Sequence, residues 1–216
     1  MTDLASIRDS WDNAARQDAM WNIVTDPRYV NGGWDPEEFF AHGRREIEGA
    51  IDRLACLDLP WTGDRALDFG CGIGRLTSAL RTYFIRVDGV DISEEMVNRA
   101  HPVEGCFYSL NTTPDLDQFS AGTFDLVYSM IVLQHMPPEF QQGYVREFFR
   151  VLKPGGVAMF QIPEGPTTGH PGHHLSMYGV PRETVEAWIT EVADLVDVEN
   201  LGCEADWTSL RYTATR

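Results

Sequence analysis

The sequence predicts an α/β fold built around a mostly parallel β-sheet. Short apolar segments typical of buried strands alternate with segments of helical spacing from residue 65 to residue 201, the pattern of strand–helix–strand units. A turn with three glycines follows the first strand, and acidic residues lie close to the ends of the first two. Because the carboxyl ends of parallel strands share one edge of a sheet and ligands bind there, we expect the functional site at this edge.

The glycine-rich turn indicates what kind of ligand to expect. It reads Asp68, Phe69, Gly70, Cys71, Gly72, Ile73, Gly74, between a strand at residues 65–69 and a helix that starts near residue 75. A dinucleotide site here would read G-x-G-x-x-G, but residue 75 is arginine, and the Asp68 carboxylate would repel a pyrophosphate. The turn disfavours a nicotinamide dehydrogenase and favours a cationic ligand, such as an α-ammonium or a sulfonium. The alternative is a tight strand–helix crossing that binds nothing.

A second acidic residue, Asp91, ends the next predicted strand. A carboxylate at this place can accept hydrogen bonds from both hydroxyls of a ribose, as in other nucleoside-binding α/β folds. Ser93 is the predicted N-cap of the helix that follows. By itself Asp91 is best interpreted as a solvated loop residue, but together with the glycine turn it predicts a cationic nucleoside ligand.

The rest of the core continues the same alternation. A long apolar run at residues 124–135 fits a central buried strand and its exit loop, and further strands are predicted at residues 157–162, 195–201 and 207–215. An amphipathic helix between the first two is expected to end at Pro154, because proline and the glycines after it stop helices. A loop rich in Gly, Pro, Thr and His covers residues 163–178, and a further helix begins near Pro181.

The first part of the chain is predicted to be helical. We expect one domain over residues 1–216, in which residues 1–60 extend a core formed by residues 61–216. Helices are predicted over residues 5–20 and 35–57, the second with Asp35 as N-cap and Pro36 at its first position. Aromatic residues are concentrated here, namely Trp11, Trp21, Tyr29 and Trp34. Two interpretations stay open: each ring packs against the sheet, or the segment is a lid that keeps water out of the site.

Charge and cysteine content narrow the partners and the location. Seventeen basic against 33 acidic residues give a net charge of −16. Since nucleic acids and anionic membranes bind through Lys and Arg, both partners are disfavoured, which leaves a small molecule as the expected substrate. The four cysteines form no C-x-x-C pair, so disulfides and a cysteine zinc site are not expected. With no signal-peptide pattern and no apolar segment of membrane-spanning length, a cytoplasmic protein is predicted.

Together these motifs resemble those of class I S-adenosylmethionine (SAM)-dependent methyltransferases. The resemblance covers about residues 60–216 and is carried by the turn, Asp91, Phe-Asp-Leu-Val at residues 124–127 and Leu-Lys-Pro-Gly-Gly at residues 152–156. It implies a seven-stranded, Rossmann-like, mostly parallel sheet with helices on both faces and the last strand antiparallel. It also implies methyl transfer from SAM to a small-molecule acceptor, with S-adenosylhomocysteine (SAH) as the product.

The resemblance also implies the residues that bind SAM. They are Asp68, Gly70, Cys71, Gly72, Gly74, Asp91, Ile92, Leu110, Asn111 and Ser129. Many relatives carry an aspartate after the third strand, near the adenine amino group, where this chain has Asn111. An asparagine can still accept that hydrogen bond through its side-chain carbonyl. Two other functions share these motifs: a SAM-binding protein without catalysis, and a methyltransferase acting on protein or RNA.

Histidines supply the candidate acid–base groups. His135 follows the fourth strand at the ligand edge, so it is the predicted base or acceptor-orienting residue, unless it only closes the loop against the following Met-Pro-Pro turn. His170, His173 and His174 match no standard zinc spacing and have no acidic or cysteine partner nearby, so no metal is predicted. They are expected either to contact substrate or to lie in a solvated loop. Arg16 is expected to pair with an anionic acceptor or to be solvated.

Overall fold

The strands and helices alternate along the chain and build a single sheet. The computed structural model describes residues 3–59, 62–170, 172–204 and 206–216. Its helices are α1 (Leu4–Ile23), α2 (Pro36–Cys56), α3 (Arg75–Leu80), α4 (Glu94–Asn98), α5 (Pro138–Val151) and α6 (Arg182–Thr190). Its strands are β1 (Arg65–Phe69), β2 (Arg86–Asp91), β3 (Cys106–Leu110), β4 (Phe124–Ser129), β5 (Leu152–Gln161), β6 (Asp194–Glu204) and β7 (Trp207–Thr215). None of the helices in these ranges combines the length and the apolar character that crossing a bilayer requires.

The seven strands follow the order β3-β2-β1-β4-β5-β7-β6. Strands β1 to β5 run parallel to one another, whereas β7 runs antiparallel to both β5 and β6. This confirms the predicted mostly parallel sheet with an antiparallel last strand. The chain builds outward from β1 to β3 and then returns to β4 on the other side. The crevice at the carboxyl ends of β1 and β4 is therefore the switch point where ligands bind in open α/β sheets.

Helices cover both faces of the sheet, as predicted. On one face, α5 and α6 bury Phe148, Phe149 and Val185 against β1, β4 and β5. On the other face, α2 and α3 bury Ile47 and Leu80. The central strand β4 is thus buried along its whole length and reads as a nearly continuous apolar run, because parallel strands buried on both faces need no alternation.

The ends of the helices follow local chemistry. Asp35 caps α2 by accepting a hydrogen bond from Glu38 N, and Ser93 caps α4 by accepting one from Met96 N, as the sequence predicts. Helix α5 ends at Val151, three residues before the predicted stop at Pro154. Residue 152 is already extended and pairs with Phe124 in the sheet, because residues shortly before a proline avoid helical geometry.

The Phe-Asp-Leu-Val segment at residues 124–127 contains an aspartate with a structural role, far from the edge of the sheet where ligands bind. Asp125, of the Phe-Asp-Leu-Val segment, lies near the start of β4 at the amino edge of the sheet. Its carboxylate accepts hydrogen bonds from Thr62 Oγ1 (2.5 Å), Arg65 N (2.8 Å) and Lys153 Nζ (3.0 Å). These partners hold the pKa of Asp125 below its usual range. The aspartate therefore joins the starts of β1, β4 and β5.

Candidate active site

A cavity lies at the switch point between β1 and β4. Its floor comes from the turn after β1 and from the ends of β2 and β3, and one wall comes from the loop after β4. Helix α1 supplies the opposite wall through Leu4, Ile7, Trp11 and Ile23. Six of the residues predicted to bind SAM line it: Gly70, Cys71, Gly72, Asp91, Ile92 and Asn111. Most of the remaining wall is apolar, so the cavity combines a dry lining with a few polar groups.

Asp91 is the acidic group that faces the cavity. Its Oδ2 accepts a hydrogen bond from Gly72 N (2.8 Å), and its Oδ1 accepts one from Ser93 N (2.8 Å). Burial raises the pKa of this carboxyl, and these two N–H donors act against the shift. Because each carboxylate oxygen has more than one acceptor direction, both oxygens can still accept a hydroxyl from a ligand. The arrangement fits a vicinal diol.

The glycine turn brings the backbone against the cavity. Gly70 N and Cys71 N both donate to Val90 O, at 2.8 and 3.0 Å, which ties the turn to β2. Gly70, Gly72 and Gly74 all have positive φ, at 79°, 52° and 88°. A Cβ on Gly72 would lie 2.6 Å from Ile23 Cδ1, so a side chain there would displace the end of the Ile23 side chain. Cys71 is buried, and burial raises the pKa of its thiol, which keeps it neutral.

Gly70 gives a test of this turn. A Cβ at Gly70 would overlap the side chain of Val132, and an alanine would also be held at an unfavourable positive φ. We expect Gly70→Ala to lower the free energy of unfolding by about 3 kcal/mol. Urea denaturation of Gly70→Ala, Val132→Ala and the double variant measures this. The double variant should lose less free energy of unfolding than the two single variants lose in sum. Strictly additive losses would show that the Val132 side chain does not obstruct an alanine at residue 70.

His135 reaches the cavity from the short 3-10 helix Leu133–His135. Its Nδ1 donates to Ser176 O (3.0 Å), because a carbonyl can only accept, and this leaves Nε2 as the unprotonated nitrogen. Burial lowers the pKa of His135 to about 4. The imidazole is therefore neutral at physiological pH, and its Nε2 electron pair accepts a long hydrogen bond from Gln134 Nε2 (3.4 Å).

The loop after β5 and helix α1 meet above His135. Ser10 Oγ accepts a hydrogen bond from His174 N (2.8 Å) and lies 3.0 Å from His174 Nδ1. The Trp11 ring packs edge-on against the rings of both His135 and His174, with centroids 5.3 and 5.4 Å apart. Residues 163–178 and α1 are thus joined across the mouth of the cavity.

A second set of contacts fixes α1 to α4. Asp12 Oδ1 accepts hydrogen bonds from Ser93 Oγ (2.6 Å) and Glu95 N (3.1 Å), at the start of α4. Arg99 Nη1 donates to Ala15 O (2.6 Å). Arg16, which the sequence offers as a partner for an anionic acceptor, pairs instead with Glu95 (3.0 Å). Helix α1 is therefore held at both sides of the cavity.

Sequence comparisons agree with this geometry. The model of a family described as a methyltransferase domain matches residues 67–160, which include the turn, Asp91, Asn111 and His135. A ubiquinone biosynthesis O-methyltransferase of Thiobacillus denitrificans is 33% identical over 132 residues, which cover 59% of this chain and 56% of the relative. The chain spans about half the length of the curated relatives that it matches.

Solved structures show the same fold. Magnesium protoporphyrin IX methyltransferase (ChlM) of Synechocystis, crystallised with bound SAH, matches with a TM-score of 0.69 and 20% identity, covering 99% of this chain and 100% of that chain. Residues 67–160 of this chain thus match a methyltransferase domain, and the chain as a whole has the fold of these SAM-dependent methyltransferases. The [4+2]-cyclase SpnF also matches, with a TM-score of 0.63 and 18% identity over 78% of this chain and 80% of that chain. The proteins that share this fold thus include one that is named for a different reaction.

The ChlM structures that this chain resembles were solved with bound SAH and SAM, and the cavity offers groups that fit SAM. The Asp91 carboxylate suits the ribose hydroxyls, and the apolar side chains of Ile92 and Met96 beside it suit a purine ring. Asn111 also lines this end, and its backbone N–H donates to Asp91 O (2.8 Å). The turn at Gly70–Gly72 leaves room for a ligand because no side chain projects from either glycine.

Four residues predicted to bind SAM do not line the cavity. Gly74 begins α3, where a Cβ would meet the Tyr108 hydroxyl, and the side chain of Leu110 is exposed. Ser129 is buried in β4. Asp68 is also buried, beneath the turn, where it accepts a hydrogen bond from Thr77 Oγ1 (2.6 Å).

Among the three histidines of the loop after β5, His174 is the one that contacts helix α1, through Ser10 and Trp11. His173 is exposed and stacks on His174, and His170 accepts a hydrogen bond from Ser176 Oγ through its carbonyl. No group of side chains suited to hold a metal occurs in the described ranges. Sequence reasoning missed Ile7, Asp12 and Ser10 as site residues. An apolar residue and two small polar ones on a helix carry no local signal of this role.

Asp68 predicts an unusual pH dependence of stability. Burial raises its pKa from 3.8 to about 7, so between these values the unfolded chain releases a proton that the folded chain keeps. The free energy of unfolding should therefore fall as pH rises through this window. We expect Asp68→Asn to be more stable relative to the native protein at pH above 7 than at pH near 4, by a few kcal/mol. Chemical denaturation at both pH values measures the difference, with exposed Asp52→Asn as the control. An equal effect at both would show that Asp68 is ionised throughout.

Proposed function

We propose that this chain transfers the methyl group of SAM to an oxygen atom of a small-molecule acceptor. The observation that carries the proposal is the Asp91 carboxylate, held by Gly72 N and Ser93 N and facing an apolar cavity beside the glycine turn. The O-methyltransferase relatives support oxygen as the acceptor atom. The acidic chain, with a net charge of −16, supports a small molecule over a nucleic acid.

The lining of the cavity suggests which residues would hold SAM. Asp91 would accept the ribose hydroxyls, Ile92 and Met96 would pack on the adenine, and the turn at residues 70–72 would lie beside the methionine part. When bound, SAM supplies a methyl group on a cationic sulfur, an electrophile that needs only a nucleophile placed in line. The Asp91 carboxylate beside the turn favours a cation over an anion.

His135 acts as the base toward the acceptor. Its Nδ1–H is engaged by Ser176 O, so Nε2 is the nitrogen that can accept the proton of an acceptor hydroxyl, in place of the long hydrogen bond from Gln134 Nε2 (3.4 Å). Because the pKa of His135 is about 4, it is already deprotonated at neutral pH and needs no prior loss of a proton. Trp11, in edge contact with the imidazole, limits the orientations that the ring can take.

The lid excludes water from the reacting groups. Helix α1 is fixed to α4 through Asp12 and to the loop at residues 163–178 through Ser10 and His174. In a dry cavity the hydroxyl and imidazole interact more strongly than in water. The site supplies position and a proton acceptor, and positioning alone contributes on the order of 7–11 kcal/mol in favourable cases.

Two measurements test the proposal. Isothermal titration calorimetry should show SAH binding with a one-to-one stoichiometry. Incubation with methyl-labelled SAM and a panel of phenols, carboxylic acids and other hydroxyl compounds should then give at least one labelled ether or ester. Absence of SAH binding at millimolar concentration would contradict the cofactor assignment. Binding of SAH without any labelled product across the panel would favour the non-catalytic alternative.

A further inference from the structure

A second cleft opens at the same edge of the sheet, beside the cavity. It lies over the ends of β5, β6 and β7, with α2 as its other wall. The two spaces adjoin, because they share three lining residues, Arg75, Met130 and Ile131. We call this space the arginine cleft, because Arg45, Arg75 and Arg211 line it.

The arginine cleft is positively charged in a strongly acidic chain. Its three arginines face two glutamates, Glu46 and Glu199, which leaves one excess positive charge among the ionised lining groups. The remaining titratable lining group is His42, whose pKa is lowered by burial and by Arg75, so it adds no charge at neutral pH. A local positive excess against a net charge of −16 points to a ligand that carries negative charge.

Arg75 and Arg211 bring buried positive charge to this cleft. The Arg75 side chain is only 3% exposed and donates through Nη1 to Glu46 Oε2 (2.7 Å). Arg211, 9% exposed, pairs with Glu199. Within the described part of the chain, the Nε atoms of both arginines are buried without a hydrogen-bond partner. Arg45 is exposed at the mouth, and the described residues include no ion-pair partner for it. These two Nε atoms are out of reach of a ligand, so a carboxylate in the cleft would pair with the guanidinium of Arg45, and the buried arginines would add positive charge behind it.

The wall between the two spaces is held in a strained conformation. Ile131 has a φ of 56°, which a β-branched residue rarely adopts. Its backbone N–H donates to Gln161 Oε1 (2.8 Å), and Gln161 Nε2 in turn donates to Ser209 Oγ. Strain of this kind persists where the surrounding structure fixes it, and it clusters at ligand sites. Here it places Ile131 between the cavity and the arginine cleft.

We propose that the arginine cleft binds the carboxylate of the methyl acceptor, while a hydroxyl of the same molecule lies beside His135 in the cavity. The apolar lining of the cleft, from Val24, Met130, Ile131 and Leu201, suits the hydrocarbon part of an organic acid. The acceptor class is therefore a hydroxy acid of moderate size with an apolar body. The part of this inference that places a hydroxyl of the acceptor beside His135 rests on the proposed function. The binding of a carboxylate in the arginine cleft does not.

Fluorine NMR tests the inference with two probes that differ only in charge. 4-Fluorobenzoate and 4-fluorobenzamide are titrated into the protein saturated with SAH. We expect the acid to bind at least about tenfold more tightly than the amide, since a charge-assisted hydrogen bond is about twice as strong as a neutral one. Arg211→Gln should weaken this preference. Arg45→Gln should remove most of it, whereas Arg44→Gln, its exposed neighbour on α2, should leave it unchanged.

A second variant keeps the test independent of buried arginines. Gly49 lines the cleft from α2, and a Cβ built there meets no atom within 4 Å. Gly49→Leu adds a side chain at a position where the Cβ has open space and should abolish acid binding, whereas Gly49→Ala should retain it. Equal binding of acid and amide, or full acid binding by Gly49→Leu, overturns the inference. Affinity for SAH, measured on the same samples, reports separately on the proposed function, so the two failures are distinguishable.

Discussion

Replacing Asp91 with alanine is expected to weaken SAH binding by on the order of 100-fold or more. Each hydrogen bond from a ribose hydroxyl to this carboxylate contributes about 1.5–3 kcal/mol, and two are lost together. The carboxylate is fixed by Gly72 N and Ser93 N, so its oxygens need no reorganisation before they receive the ligand. Isothermal titration calorimetry of the native protein and the variant measures the change.

Two further variants separate binding from folding in this experiment. Asp91→Asn keeps one carbonyl oxygen for one of the two backbone N–H donors and places its NH2 group against the other, so it should fold with a lower free energy of unfolding and still lose much of the affinity. Asp52→Ala removes an exposed carboxylate on α2 and should leave the affinity unchanged. If Asp91→Asn binds SAH as tightly as the native protein, Asp91 does not hold the ribose and the nucleoside lies elsewhere in the cavity.

The parts of the fold that the sequence predicts are those with a local physical cause. The strand at residues 65–69 is an apolar run bounded by turn residues, and β1 has the same bounds. Asp35 and Pro36 start α2 because their side chains suit the first turn of a helix. The edge at which the site lies follows from strand direction alone. Asp91 and the glycines lie at the cavity because both follow parallel strands that are neighbours in the sheet.

The parts that the sequence does not predict depend on contacts between distant segments. Ser10 meets His174 across 164 positions, and neither residue carries a pattern that names the other. The same holds for Gln161 and Ile131, whose strained backbone is set by tertiary contacts. Asp68 illustrates a finer difficulty. Its place in the sequence predicts exposure to the ligand, but the alternation of side chains along β1 turns it beneath the turn, toward Thr77.

The two spaces at the switch point divide the chemistry between them. The cavity holds an apolar lining, one carboxylate and a neutral histidine, which suit a cationic cofactor and a proton transfer. The arginine cleft concentrates positive charge on the far side of Ile131. An acceptor with a carboxylate at one end would therefore enter with that end toward the arginine cleft. Orientation by charge would provide specificity without close packing around the acceptor.

Replacing His135 with glutamine is expected to lower kcat by about 10²- to 10⁴-fold with an acceptor that must lose a hydroxyl proton. Glutamine can still fill the position, but its side-chain amide cannot take up that proton. The pKa of His135, about 4, also sets the pH profile of the native protein. Since the imidazole is neutral well below pH 6.5, kcat/KM should not fall between pH 8 and pH 6 as it would with a histidine of ordinary pKa, about 6.5. Initial rates with methyl-labelled SAM over this range measure both effects.

The control for His135 is chosen to separate chemistry from structure. His173→Gln changes an exposed histidine of the neighbouring loop and should leave kcat and SAH affinity as they are. His135→Gln should also leave SAH affinity within a few-fold of native, because the imidazole faces the acceptor and not the nucleoside. In the native protein, the depressed pKa of His135 should cost stability as pH falls from 6.5 toward 4, since the unfolded chain binds the proton first. His135→Gln should lose that part of the acid sensitivity. A variant that loses the acid sensitivity but keeps full kcat would assign His135 to closing the loop, with the hydroxyl proton leaving by another route.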